Sequence, residues 1–164
     1  MPTRSKPRNA ANPIEFHELA ALIGVPENDP AVVSLLERAG KVQWENPYGR
    51  SRYVHAKEAG FELILQVPNG KSHSARKRVD IITMFGAVDG YTKFARPPFG
   101  ITFTSRAAVV KKLPASLRSY WQANRKDVFD VFEIDGMHVG VTTKGLRVAN
   151  IVVKSLAGPT GGII

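Results

Sequence analysis

Four histidines, His17, His55, His73 and His138, are the first residues that could do chemistry, and they fall in four different segments. No pair has the H-x₃₋₅-H spacing of a metal site, and His17-Glu18 lacks the second histidine of a zinc-protease helix. With no cysteine in the chain, disulfides, thiolate zinc, iron–sulfur ligation and a cysteine nucleophile are excluded together. No G-x-S-x-G elbow supplies a serine nucleophile. The carboxylates Asp127, Asp130, Glu133 and Asp135 cluster in sequence, yet along an extended strand Asp130 points away from both Asp127 and Glu133. That alternation describes a half-exposed strand better than an acid–base pair. Gly158 to Gly162 has neither the lysine nor the following helix of a phosphate loop. The residues therefore predict no catalytic group, no metal and no cofactor.

Charge is more informative. Lysine plus arginine is 23 and aspartate plus glutamate 14, a formal charge of +9 over 164 residues. Such a balance favours anionic partners, whether nucleic acid, a lipid surface or an acidic protein. From Gly90 to Lys126 there are eight basic residues and no acid, with Tyr91, Phe94, Phe99, Tyr120 and Trp121 interleaved. Trp44, Tyr48, Arg50, Arg52 and Tyr53 form a second such cluster. Basic and aromatic residues together suit single-stranded nucleic acid or a protein interface, and the aromatics can equally be core. No apolar run is long enough for a secretory signal or a membrane span, so a soluble protein of the cytoplasm is expected.

The elements that position these residues follow from period and punctuation. Residues 1–13 hold Arg4, Lys6 and Arg8 among polar residues and read as a flexible basic arm. Phe16, Leu19 and Leu22 lie at helical spacing before Gly24, and Asp29-Pro30 caps a second helix that Gly40 ends. Strand-like runs follow at Arg52 to Ala56, Phe61 to Val67 and Asp80 to Phe85. Between the last two, the insert Pro68 to Val79 carries Lys71, Arg76, Lys77 and Arg78 and reads as an exposed loop. The pattern then restarts about 70–76 residues later, with a Ser105-capped helix and runs at Asp127 to Ile134, Met137 to Thr142 and Val148 to Lys154. Asp135-Gly136 is a strong hairpin signal. The expected fold is α+β, one domain made of two tandem units, each a helical segment on an antiparallel strand triplet. The units span 14–88 and 105–157, joined by a connector at 89–104 and followed by a flexible tail at 158–164.

Four motifs carry a resemblance: Ala59-Gly60-Phe61-Glu62-Leu63; Val79 to Phe85; Pro97-Pro98-Phe99-Gly100-Ile101-Thr102-Phe103; and Ser105-Arg106-Ala107-Ala108-Val109. With the closing strands Asp127 to Phe132, Gly136 to Val141 and Val148 to Val153, they resemble the cytoplasmic immunity proteins of bacterial type VI and contact-dependent toxin systems. The tandem units of that family are similar to those of β-lactamase inhibitor protein. The resemblance implies a non-enzymatic inhibitor that occludes a cognate toxin, docking through the exposed sheet face and adjoining loops. It places partner contact at Arg50, Arg52, Tyr53, Arg76, Lys77, Tyr91, Lys93 and Arg96, against an acidic docking surface of the toxin. The alternative reading is a small basic nucleic-acid-binding protein.

Overall fold

The computed structural model describes residues 13–116, 118–121, 127–161 and 164. The basic arm through residue 12, and Arg125 and Lys126 of the basic stretch, lie outside the described residues. The fold is α+β, with eight antiparallel strands among the described residues, in one sheet of order β1-β2-β3-β4-β8-β7-β6-β5. The strands are β1 (Gln43–Tyr48), β2 (Ser51–Ala56), β3 (Phe61–Gln66), β4 (Arg78–Phe85), β5 (Arg118–Trp121), β6 (Asp127–Ile134), β7 (Met137–Lys144) and β8 (Arg147–Ser155). Helices α1 (Phe16–Ala20) and α2 (Pro30–Ala39) precede β1, and α3 (Arg106–Lys112) precedes β5. Each half is thus helix followed by a four-strand meander, one strand more than the expected triplet. The additional strands are the two sheet edges, β1 and β5.

Local signals set the helices. Glu15 and Glu18 close a reciprocal capping box on α1, the Asp29 side chain accepts from Ala31 N on α2 at 2.8 Å, and the Ser105 hydroxyl accepts from Ala108 N on α3 at 3.2 Å. Asp135 and Gly136 both take positive φ, 50° and 74°, the geometry that the tight β6–β7 hairpin requires.

Register assigns the sheet two unlike faces. Val54, Leu63, Ile82, Val153, Val139 and Phe132 oppose one another across β2, β3, β4, β8, β7 and β6. They form one core with Leu19, Val32, Leu35, Leu36 and Val109, so all three helices cover the same face. Leu65, Val141 and Ile151 are buried there too. The helix-free face presents part-exposed Tyr53, Ile64, Ile81 and Val152 over its middle strands. Towards β6 that face closes, because the Phe129 ring lies directly over Gly140, where a Cβ would collide with its Cζ.

Two buried acids tie outlying segments to the sheet. Asp130, 1% exposed, takes a bidentate ion pair from Arg106 at 2.7 and 2.8 Å, fixing α3 to β6. Asp80, fully buried, sits where the β3–β4 register shifts and accepts from the Thr160 hydroxyl at 2.5 Å, with Lys154 Nζ at 3.7 Å. The tail expected to be flexible from Gly158 is therefore anchored over residues 158–161, helped by Asn69 N donating to Pro159 O at 3.0 Å. The connector is no spacer either: Phe94, Ile101 and Phe103 belong to the core.

The connector also passes close to Gly60, which ends the short 3₁₀ turn Lys57–Ala59. Gly60 has φ +81°, and a Cβ there would meet Thr92 O and come within 2.7 Å of Phe94 N. Backbone on both sides leaves no side chain to yield. Gly60→Ala is expected to cost about 3 kcal/mol from left-handed strain plus overpacking, read by urea denaturation. A loss below 1 kcal/mol would show that the connector does not need this approach.

Candidate functional site

The eight residues expected to meet a partner do not converge. Arg50 lies beyond β1 with its guanidinium on Lys71 O at 3.2 and 3.3 Å. Arg52 is on the helix-covered face, paired with Glu27 at 2.9 Å and stacked 4.1 Å over the Trp44 ring. Arg96 pairs with Glu15 of the α1 cap at 2.7 Å. Arg76 and Lys93 are exposed on loops, and Lys77 is part-buried, its carbonyl accepting from Glu27 N at 3.1 Å. Only Tyr53 and Tyr91 come together, and what stands between them is His55.

His55 is the centre of the polar cluster on the open face. Register places it opposite Gln43 of β1 and Glu62 of β3, and Glu45 and Tyr53 share its side of the sheet. Its Nε2 lies 2.6 Å from Glu45 Oε2, while Nδ1 lies 2.8 Å from Glu62 Oε2 and 2.7 Å from Tyr91 Oη. The Tyr91 ring stacks on Phe85 with centroids 3.8 Å apart and 12° between planes, so the connector lays an aromatic lid over the end of β4. Lys57 Nζ is 5.7 Å from the Tyr91 ring centre, and Asp89 meets Lys144 at 3.4 Å. Glu45, His55, Lys57, Glu62, Phe85, Asp89 and Tyr91, with Gln43, line an open cleft of about 340 Å³.

The cleft's electrostatics follow from desolvation beside several carboxylates. Burial pushes the Glu62 carboxyl up; the His55 charge opposes this and Glu45 adds to it. Burial, then Glu62, Glu45 and Asp89, push the Tyr91 phenol far above its ordinary value. Tyr91 is therefore a neutral hydroxyl and no nucleophile. Among the described residues no group of three or more His, Asp or Glu is arranged to hold a metal ion. Among the described residues no helix is long and apolar enough to cross a membrane. What the arrangement can do is present an aromatic-floored polar surface.

Sequence reasoning picked out Tyr53 and Tyr91 but missed Glu45, His55 and Glu62. The available signal was the β2–β3 turn. Ala56 pairs with Phe61, so His55 and Glu62 stand equidistant from it and must share a face.

Comparison with family models, with curated proteins and with solved structures finds no match for this chain. The reading of function therefore rests on the residues and the geometry above.

Tyr91 has two separable roles. Tyr91→Phe keeps the stack on Phe85 and loses the contact to His55, and is expected to cost about 1 kcal/mol. Tyr91→Ala loses both and should cost about 3 kcal/mol in the same urea titration. Equal losses from the two would make the stack energetically irrelevant.

Proposed function

We propose that this chain is a non-catalytic inhibitor of the immunity type, which neutralises a cognate antibacterial toxin in the cytoplasm by occluding it. The observation that carries the reading is the asymmetry of the sheet. Eight strands hold a broad face, all the described helices lie on its other side, and the free face gathers Tyr53, His55 and Tyr91 instead of a reaction centre. Such a scaffold costs little conformational entropy on docking, and buried aromatic anchors give slow dissociation. Part-exposed Ile64, Ile81 and Val152 extend the surface as an apolar centre beside the polar cleft.

The halves belong to this reading as two copies of one ancestral unit. Support comes from the mirrored strand order about the β4–β8 seam and from the repeated sequence of helix and meander. The basic residues that do not converge act as a rim: Arg50, Arg76, Lys77 and Lys93 meet an acidic part of the toxin surface and speed encounter. Arg52 and Arg96, each held by an acid of the helical layer, contribute to the fold rather than to the contact.

The test is protection of cells that express a candidate cognate toxin, one whose gene neighbours that of this chain. The wild type should restore growth, and Tyr53→Ala with Tyr91→Ala should weaken the purified complex by about 2 kcal/mol or more, roughly 30-fold in Kd. Lys93→Ala should change mainly the association rate and its dependence on salt. Unimpaired protection by the double tyrosine variant would move the docking surface elsewhere. Binding to generic DNA and RNA that falls steeply with salt, without any toxin complex, would instead support the nucleic-acid reading.

A further inference from the structure

The contacts of His55 demand more protons than the ring carries when neutral. Nε2 faces a carboxylate oxygen of Glu45, and Nδ1 faces both a carboxylate oxygen of Glu62 and the Tyr91 hydroxyl, all within 2.8 Å. When His55 and Glu62 together hold two protons, every short contact has a hydrogen in it. The protons can sit on both ring nitrogens, or on Nε2 and the Glu62 carboxyl. When the pair holds one, a nitrogen lone pair must face a carboxylate, and that contact becomes repulsive.

The two carboxylates are not equally free to leave. The Glu62 side chain is 14% exposed in the middle of the hairpin, whereas that of Glu45 is 58% exposed. Glu45 also sits on the edge strand, which among the described residues pairs only with β2 and whose register shifts immediately after it. With a single proton on Nδ1, Glu62 keeps its donor and Glu45 turns to water.

We propose that Glu45, His55, Glu62 and Tyr91 form a proton-operated clasp that fastens the edge strand β1 to the sheet when the histidine–glutamate pair holds two protons and releases it when one is lost. The remaining charged and titratable groups around the ring tune the clasp without replacing it. Tyr53 flanks it on β2, Lys57 and Asp89 line the same cleft, and Lys41 and Glu58 line an adjoining pocket that His55 and Lys57 also border. Burial of Glu62, which favours its protonated form, acts in the direction of the closed clasp. The clasp shares His55 and Tyr91 with the docking surface proposed above, but its exchange readout needs no partner, and it controls whether the β2 edge is covered.

Amide hydrogen exchange of the full chain between pH 5 and 8.5, corrected for intrinsic exchange, reads the clasp directly. Protection of the β1 amides at Gln43 and Glu45, which face His55 and Tyr53 of β2, should fall about tenfold as pH rises, the worth of one charge-assisted hydrogen bond, while β7 protection stays constant. Glu45→Gln is the decisive variant, because its amide can accept from or donate to Nε2. Its β1 protection should not change with pH, and a stable fold is expected because the side chain is exposed. His55→Gln, which cannot titrate, should abolish the pH dependence as well. A wild type with pH-independent β1 protection overturns the proposal. So does a Glu45→Gln or His55→Gln variant that retains the wild-type pH dependence.

Discussion

The structure depends on one strand pairing, that of β4 with β8. Each meander ends on a strand of this seam, which sets Ile82 against Val153 and Met84 against Ile151, all four inaccessible to solvent. This pairing fixes more than a shared edge. A slip of one residue would turn every side chain of one half to the opposite face, leaving the helices of the two halves on different sides. With the observed register, α1, α2 and α3 cover one continuous apolar surface, and the connector's Phe94, Ile101 and Phe103 join the same core. The free face exists because of this arrangement, since all the described helices have been drawn to one side.

Much of this architecture was legible in the residues. Helix boundaries came from chemistry that acts within one turn, Asp29 before Pro30, Gly40 after Ala39, and Ser105 before the third helix. Six strands declared themselves through apolar alternation because they are covered on at least one face. The two that did not, β1 and β5, are edges, which need no apolar pattern on both sides and tolerate residues that a central strand excludes. Asn46-Pro47-Tyr48-Gly49 reads as a turn by composition, yet β1 runs through Tyr48 with its register shift in that stretch. Edge strands broken in this way also resist pairing with other chains.

The candidate site was less legible for a reason of distance. His55 meets residues from 10 positions earlier and 36 positions later, and no spacing rule relates them. Only register across three strands and the return of the connector over Phe85 bring Glu45, Glu62 and Tyr91 to one ring. Counting charges pointed elsewhere, to arginines such as Arg52 and Arg96 whose partners, Glu27 and Glu15, are also far off in sequence. A basic residue already paired in the fold offers little to a second molecule, and composition does not reveal which ones those are.

The β4–β8 seam has a kinetic consequence. Ile82 and Val153 are about 70 residues apart in the chain, whereas the other pairings of the sheet join consecutive strands. Local hairpins form on the microsecond scale, but closing so long a loop must await the ordering of what lies between. The two meanders can therefore mature separately and dock last. Until they do, each presents an unpaired and strongly apolar strand. Slow docking would make that transient species the point at which crowded nascent chains stick to one another, so rapid closure of the seam matters as much as its final strength.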